Sequence, residues 1–333
     1  MIKGLVSVII PTYKRPTMLG RAIESVLNQT YDNIEIAVID DNNTGDEFRE
    51  ETIEFMQQYK DNPKVIYIQH EYNQNGSAAR NTGISQTQGE YIAFLDDDDC
   101  YLPSKIAAQV AILSQQTENC GGVYSNYVKR YKNKIYKISS YKEDNNSSYD
   151  LLSGKVDLAA GSTLLLRRSV IDDIGFFDTS FARHQDWEFL IRVFRKYFLA
   201  ISPEIGVVIS ADDRINRPNT NKLIEVKLKL FEMFKPDIEK MDHLHQVHIY
   251  EYQNFELICS ALREKKYSLA FNLYKNQNYK LSILKKNPHL FLAFLTGLCS
   301  YTMVTVYNVL GFKNFFKKRK LYKVIKNNKY FCL

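Results

Sequence analysis

Apolar runs alternate with amphipathic stretches through the first hundred residues. Four apolar runs have the length and composition of buried strands: Val6 to Ile10, Ile34 to Ile39, Val65 to Gln69 and Tyr91 to Leu95. Between them, helical spacing or helix-permissive composition predicts helices at Thr17 to Asn28, Asp46 to Tyr59 and Ser77 to Ser85. Strands that alternate with helices form βαβ units, so this part is predicted to be an α/β fold with a mostly parallel sheet flanked by helices.

The pattern changes after residue 100. A helix is predicted to about Gln116 with Ser104 as its N-cap, and alternating residues from Tyr127 to Ile138 predict a hairpin that turns near Asn133. Further strands are expected at Thr163 to Leu166 and Ile205 to Ile209, with a helix at Asp186 to Lys196 between them. From Lys222 onward the pattern is helical, and the polar stretch before it predicts two domains, residues 1–220 and residues 221–333.

Composition supports a globular chain in a reducing compartment. The 333 residues are 45% hydrophobic and 25% charged, which is enough to build a full core. The five cysteines are odd in number and scattered, so neither a disulfide framework nor a zinc site is predicted. Because Met1 to Leu5 lack the order of a signal peptide, the catalytic part is expected to stay in the cytosol.

Charge divides the chain unevenly, although the net charge is only +6. From Lys265 onward there are 14 Lys and Arg and no acidic residue, which leaves 30 basic and 38 acidic side chains before it. Leu290 to Phe312 is an uncharged stretch of about 23 residues, long enough to cross a bilayer or lie in its interface, and eight basic residues follow it.

Its apolar content favours an anionic membrane surface over nucleic acid as the partner. Several small polar residues within it keep a buried soluble helix as the alternative. With a cytosolic catalytic part, a re-entrant or interfacial placement is easier than one crossing, and the expected location is the cytoplasmic face of the cell membrane.

The run Asp96 to Asp99 follows the fourth predicted strand directly. Four adjacent carboxylates repel one another, and a divalent cation would relieve that repulsion. Ligands of open α/β sheets bind at such strand ends. The alternative is an acidic surface turn.

Five segments, in this order and spacing, resemble glycosyltransferase family 2 over about residues 4 to 215. They are Val6-Ser7-Val8-Ile9-Ile10-Pro11-Thr12-Tyr13-Lys14-Arg15, Val38-Ile39-Asp40-Asp41, Ala79-Arg80-Asn81-Thr82-Gly83, Asp96 to Asp99, and His184-Gln185-Asp186-Trp187-Glu188. The resemblance implies a GT-A fold, a nucleotide-sugar donor, Mg²⁺ or Mn²⁺, and inversion at the anomeric carbon. It also divides the first domain into a nucleotide-sugar half, residues 1–100, and an acceptor half, residues 101–220.

The donor is expected to contact Pro11, Tyr13, Arg15, Asp41, Arg80, Asp96 and Asp97. The Tyr13 ring is suited to a flat base and the Asp41 carboxylate to a hydrogen bond from base or ribose. The alternatives are surface packing for Tyr13 and capping of the Asn42-Asn43 turn for Asp41. Arg80 could approach the diphosphate, or be an ordinary surface arginine of a helix.

The matched Asp-x-Asp motif implies that Asp98 is the metal ligand and that Asp96 faces ribose or a metal-bound water. Asp97 and Asp99 have less defined roles, since consecutive side chains diverge in an extended segment. A metal there would stabilise the charge on the departing nucleotide.

An inverting transfer needs a base for the acceptor hydroxyl, and Asp186 is the candidate; its alternative is a helix N-cap. The family commonly has Glu-Asp at this point, and Gln185 replaces the Glu. Gln185 and Trp187 are expected near the acceptor, with a core position as the alternative for Trp187. The spacing of His243, His245 and His248 favours a surface helix over a metal site.

These features together predict a membrane-associated inverting glycosyltransferase that uses a UDP-sugar and a glycan acceptor. The tail suggests that the acceptor is lipid-linked, as in bacterial surface polysaccharide assembly; a soluble acceptor is the alternative. Two rival classes are a sugar nucleotidyltransferase, disfavoured because Pro11 to Arg15 lack a Gly-rich triphosphate loop, and a non-catalytic glycan-binding subunit of the same fold.

Overall fold

The computed structural model describes residues 1–131, 134–141, 147–156, 161–181, 183–211 and 219–275. Contacts divide the chain into two compact units. The first holds the described residues of Met1–Asn146 and Leu158–Asp213, and the second holds those of Ser147–Asp157 and of the chain from Arg214 onward. The domain boundary near residue 220 stays a prediction.

The first unit begins with the alternation of strands and helices that the sequence predicts. Its elements are β1 (Ile2–Thr12), α1 (Pro16–Leu27), β2 (Ile34–Asp40), α2 (Glu47–Met56), β3 (Val65–Gln69), α3 (Asn75–Gln86) and β4 (Gly89–Phe94). The four strands are parallel in the order β3-β2-β1-β4, with Ile9 opposite Ala37 and Phe94. All four predicted strands are therefore confirmed.

The sheet continues with strands of mixed direction. The elements are β5 (Cys100–Tyr101), α4 (Lys105–Ser114), β6 (Cys120–Tyr131), β7 (Lys134–Ile138), β8 (Leu164–Arg167), α6 (Arg168–Ile174), α7 (Gln185–Phe194) and β9 (Phe198–Ser210). The order after β4 is β8-β6-β9-β5, and β8 is antiparallel to both of its neighbours. The predicted hairpin is confirmed as β6 and β7, while its turn near Asn133 lies outside the described residues.

Helices α1 and α3 pack against β1 on opposite faces of the sheet. On one face, α1 buries Leu19 and Ile23 in a cluster with Val8 of β1. On the other, Gly83 of α3 lies so close to β1 that an added Cβ would be 2.4 Å from Ile9 Cγ2. That close approach needs glycine, and it holds α3 over the sheet. Ser104 is the N-cap residue of α4, as predicted, but its hydroxyl donates to Glu204 Oε2 (3.4 Å) and makes no capping hydrogen bond.

The second unit contains α5 (Ser148–Leu152), α8 (Thr220–Glu239), α9 (His243–Arg263) and α10 (Tyr267–Lys275), which confirms the helical pattern after Lys222. Helices α8 and α9 run antiparallel, because Thr220 bonds Glu264 and Lys227 bonds Glu256. Within the described part of the chain, His243, His245 and His248 form no metal-binding group.

No helix that the structure describes has both the length and the apolar character needed to cross a membrane. The predicted membrane stretch, Leu290 to Phe312, lies outside the described residues.

Candidate active site at the carboxyl ends of the parallel strands

Polar side chains collect where β1, β2 and β4 end. Thr12 is the last residue of β1, Asp41 directly follows β2, and the four aspartates begin two residues after β4. A hydrogen bond from Thr12 Oγ1 to Asp97 Oδ2 (2.9 Å) joins the β1 and β4 ends. The parallel arrangement therefore brings segments that are 85 residues apart along the chain into one site.

The aspartate run does not extend in a straight line. The Asp99 amide donates to the Asp96 carbonyl (3.0 Å), which turns the chain. As a result, carboxylate oxygens of Asp96, Asp98 and Asp99 all lie within 4.8 Å of one another. Asp99, whose role the sequence leaves less defined, thus belongs to the same carboxylate cluster as Asp98. Three carboxylates at this spacing match the oxygen donors that Mg²⁺ and Mn²⁺ prefer, so these residues fit a divalent cation.

Burial makes this cluster electrostatically costly. It raises the pKa of Asp97 to about 7, against the opposing effect of the Arg15 guanidinium, and it raises the pKa of Asp98 and that of Asp99. Repulsion from neighbouring carboxylates adds to each of these shifts. The ionised cluster therefore needs compensating positive charge.

Two arginines of the first helix region supply part of that charge. Arg15 Nη1 lies 3.1 Å from Asp97 Oδ1 and 2.9 Å from Asp98 Oδ2. Arg21 Nη2 donates to the Asp98 carbonyl (2.6 Å). Since Asp97 bonds both Arg15 and Thr12, its two oxygens are engaged within the protein. Donor contacts of Asp97 and Arg15 stay predictions.

Asp41 is buried and joins the end of β2 to the segment between β3 and α3. Its Oδ1 lies 2.7 Å from His70 Nδ1 and accepts from the Gln74 amide (2.8 Å), and its Oδ2 accepts from Asn73 Nδ2 (2.8 Å). The Asn42 amide is instead bonded by Asp40 Oδ1 (3.0 Å). The alternative role of Asp41, capping the turn at Asn42-Asn43, is therefore wrong.

Tyr13 is half-buried beyond the end of β1, next to Pro11 and Thr12. The ammonium of Lys14 lies 5.2 Å from the centroid of the Tyr13 ring. The Lys14 amide donates to Asn42 Oδ1 (2.8 Å), which fixes the loop after β1 against the loop after β2. The structure thus leaves Tyr13 partly exposed on the loop that Lys14 joins to Asn42, and the base contacts of Pro11 and Tyr13 stay predictions.

Arg80 is buried on α3, so the alternative of an ordinary surface arginine is wrong. Its Nη2 donates to Asp96 Oδ1 (2.7 Å), and its guanidinium lies over the Phe177 ring at 5.9 Å. With its amide oriented to satisfy its neighbours, Gln185 donates to Ser77 Oγ (3.0 Å) and accepts from Arg80. Gln185, predicted near the acceptor, therefore also fixes Arg80.

Asp186 lies in the first turn of α7, where His184 is the N-cap residue without a side-chain cap bond. The alternative role of Asp186 as the N-cap is therefore wrong. Burial raises its pKa, Arg80 opposes this, and Asp96 adds to it, so the carboxylate lies within the field of the strand-end cluster. Trp187 is partly exposed and stacks on His184, with ring centroids 4.8 Å apart.

The sequence analysis assigned no role to several residues of the site. Ser162 Oγ donates to Asp99 Oδ2 (2.7 Å) and lies 3.2 Å from the Asp96 amide, although it is more than 60 positions away. Thr12, His70 and Arg21 bond the aspartates through the folded chain. A single serine or threonine is common everywhere, so pattern alone could not select them.

Known proteins resemble this chain in sequence. Residues 7–175 match the family described as Glycosyl transferase family 2. An uncharacterised glycosyltransferase of Rickettsia prowazekii is 34% identical over 198 residues, 57% of this chain and 59% of that protein. The UDP-Glc:alpha-D-GlcNAc-diphosphoundecaprenol beta-1,3-glucosyltransferase WfaP of Escherichia coli is 34% identical over 173 residues, 52% of this chain and 64% of that protein. The matched part thus spans less than two thirds of either relative.

Solved structures share the fold. TarS 1–349 of S. aureus with UDP-GlcNAc has a TM-score of 0.58 at 16% identity, over 81% of this chain and 79% of that one. The mannosyltransferase PcManGT of Pyrobaculum calidifontis, solved with GDP-Man and Mn²⁺, has a TM-score of 0.56 at 16% identity, over 92% and 87%. At these identities the likeness concerns the fold alone, and the predicted fold class is confirmed.

Proposed function

This chain belongs to glycosyltransferase family 2, and we propose that it moves a sugar from a UDP-sugar to a lipid-linked glycan with inversion at the anomeric carbon. The observation that carries the proposal is the convergence of Asp98, Arg80 and Asp186. They come from three distant parts of the chain and lie around Asp96, which bonds Arg80 and contributes to the electrostatics of Asp98 and Asp186. A donor diphosphate and an acceptor hydroxyl need these kinds of groups.

The uridine half of the donor would use the loops after β1 and β2. Tyr13 offers a ring face and Asp41 a carboxylate that accepts hydrogen bonds. UDP is preferred because WfaP is named for UDP-Glc and the related fold of TarS was solved with UDP-GlcNAc. These names describe those proteins, and they support UDP here.

The diphosphate would lie against the aspartate cluster. Asp98, with Asp96 and Asp99, would hold Mg²⁺ or Mn²⁺, since their oxygens meet at the spacing described above. When bound, the metal supplies positive charge that stabilises the leaving nucleoside diphosphate. Arg80 and Arg15 would add guanidinium charge to the phosphate oxygens, which guanidinium groups bind in a bidentate manner.

Asp186 would accept the proton of the acceptor hydroxyl. As the new bond from the acceptor oxygen to the anomeric carbon forms, the bond from that carbon to the phosphate oxygen breaks, and UDP leaves. Its raised pKa favours this role, because a carboxylate with higher proton affinity is a stronger base. Trp187, stacked on His184, would offer an aromatic face to an acceptor sugar.

A membrane-borne acceptor is supported from two sides. The relative WfaP is named for an acceptor on diphosphoundecaprenol. In the second unit, α10 exposes Tyr267, Phe271 and Tyr274 at spacings of four and three residues, which places them on one helix face. Aromatic side chains beside Lys275, before a tail without acidic residues, suit the surface of an anionic bilayer. We propose the cytoplasmic face of the membrane as the location of the enzyme.

The test is release of nucleoside diphosphate from a panel of UDP-, GDP- and TDP-sugars, with and without diphosphate-lipid-linked GlcNAc, in Mg²⁺, Mn²⁺ or chelator. Release of UDP that requires both the acceptor and a metal supports the proposal. Pyrophosphate release from a nucleoside triphosphate and a sugar phosphate would indicate a nucleotidyltransferase. Glycan binding without release of any nucleotide would indicate a non-catalytic subunit.

A further inference from the structure

A buried chain of hydrogen bonds runs from Asp41 through His70 to Thr82. His70 Nδ1 lies 2.7 Å from Asp41 Oδ1, and His70 Nε2 lies 2.9 Å from Thr82 Oγ1. His70 is 7% exposed and Asp41 is 2% exposed. The chain therefore connects α3 to the end of β2 through one imidazole that solvent scarcely reaches.

The backbone of His70 is fixed as firmly as its ring. Its amide donates to the Asp40 carbonyl (2.9 Å), and its carbonyl accepts from Arg49 Nη2 (2.7 Å). With the backbone held and both ring nitrogens engaged, rotation of the ring would break two buried hydrogen bonds. The imidazole consequently has one orientation, in which Nδ1 meets Asp41.

Most of the hydrogen-bond acceptor positions of the Asp41 carboxylate are already used. A carboxylate offers about four acceptor positions. Oδ1 uses its two positions for His70 and the Gln74 amide, while Oδ2 uses one for Asn73. Among the described residues nothing takes the remaining position, which is on Oδ2, and the side chain is only 3% exposed. Asp41 therefore presents a single acceptor edge rather than an open carboxylate.

We propose that His70 is a positioning residue that orients Asp41, so that its remaining acceptor position on Oδ2 selects a nucleobase with a ring N–H. Uracil has such a group at N3, whereas the same ring atom of cytosine is an acceptor that the carboxylate repels. His70 acts through Asp41 and does not touch the donor. Thr82 in turn holds the His70 ring in place through its hydrogen bond with Nε2. This inference rests on the proposed use of a UDP-sugar.

The experiment compares UDP and CDP binding by calorimetry in the full chain and three variants. His70→Phe keeps a flat ring without hydrogen bonds. His70→Asn restores a donor near the Nδ1 position, and Thr82→Val removes only the bond to Nε2. We expect His70→Phe to lose about 10-fold or more in UDP affinity, as for a lost bond to a charged group, and to lose most of its preference for UDP over CDP. His70→Asn should regain most of both, and Thr82→Val should fall between the parent and His70→Phe.

Steady-state kinetics distinguish a loss of Asp41 positioning from general damage to the active site. His70→Phe should raise the donor KM and leave kcat within a few-fold, whereas a damaged active site would lower kcat. If the parent binds UDP and His70→Phe keeps both affinity and preference, the inference is overturned while the proposed function stands. A loss that His70→Asn does not restore, or a Thr82→Val protein equal to the parent, also overturns it. If His70→Phe does not fold, the other two variants still decide. A parent that binds no nucleotide would overturn the proposed function itself.

Discussion

Replacing Asp186 with Asn tests the chemical step, because the amide keeps the size of the side chain and removes its basicity. Loss of a general base lowers turnover by about 100- to 10,000-fold, or about 3 to 5 kcal/mol in the activation free energy. UDP affinity should change little, since the carboxylates and arginines of the donor site are untouched. The substitution also removes one negative charge from the neighbourhood of Arg80 and Asp96, the two charged groups that act on Asp186.

The same substitution should not destabilise the protein. Burial raises the pKa of Asp186 in the folded state, which means that the folded chain disfavours the ionised form. Stability from such a group is present at low pH and is lost as pH rises through the folded-state pKa. At neutral pH the neutral amide removes this cost, so Asp186→Asn should melt at the parent temperature or above it.

Asp173→Asn is the matched control. Asp173 is exposed on the same unit, where hydrogen bonds from Lys196 and Tyr197 lower its pKa. Its substitution should leave turnover within about two-fold and lower the melting temperature slightly, the opposite sign to Asp186→Asn. Steady-state kinetics, UDP calorimetry and thermal melts give the three readouts. Turnover of Asp186→Asn within a few-fold of the parent, or loss of its UDP binding, would refute the role of base.

Other predictions concern metal, stability and membrane. Asp98→Ala should lose the part of UDP affinity that depends on Mg²⁺ or Mn²⁺, and equal affinity with metal and with chelator in the parent would contradict the assignment. In the second unit, Lys227 is buried and bonds Glu256, which is 31% exposed. Glu256→Gln removes a carboxylate that lies 2.7 Å from this buried ammonium and should cost about 3 kcal/mol in urea unfolding, more than Lys227→Met; the reverse order would show that this ion pair does not stabilise the unit. Deleting the chain after Pro288 should weaken sedimentation with anionic vesicles, and Tyr267→Ser with Phe271→Ser should weaken it further. A full-length chain that stays in the supernatant at every lipid and salt composition would contradict the membrane proposal.

The sequence predicted the elements that carry a strong local pattern. The apolar runs of β1 to β4 have strand length and clear breakers. Asp41 and the run Asp96 to Asp99 were found from their positions just after strands, whereas the choice of Asp98 as metal ligand came from the resemblance to the family's Asp-x-Asp motif. Strand β9 was predicted only over its last residues because Ser202, Pro203 and Glu204 interrupt its apolar pattern, yet it runs from Phe198 to Ser210. Its ladder with β6 absorbs the interruption through register shifts near Asn126.

The contacts that organise the site could not be predicted in the same way. Arg80 on Asp96 and Ser77 on Gln185 are pairs 16 and 108 residues apart, and neither has a periodic signal. Asp97 looks identical to its neighbours in sequence, while in the fold it bonds Thr12 and Arg15. Short elements such as β5 and α6 are likewise defined by what they pack against rather than by their own composition.

The reaction product shows whether one sugar is transferred to a lipid-linked glycan with inversion. The parent chain is incubated with UDP-glucose, Mn²⁺ and diphosphate-lipid-linked GlcNAc, and the lipid product is analysed by mass spectrometry and by NMR of the new anomeric proton. We predict a gain of one hexose in the β configuration, since the donor is α, and no gain with Asp186→Asn. An α-linked product would contradict inversion. An unchanged lipid with every UDP-sugar and acceptor, from a chain that binds UDP, would contradict the transfer itself.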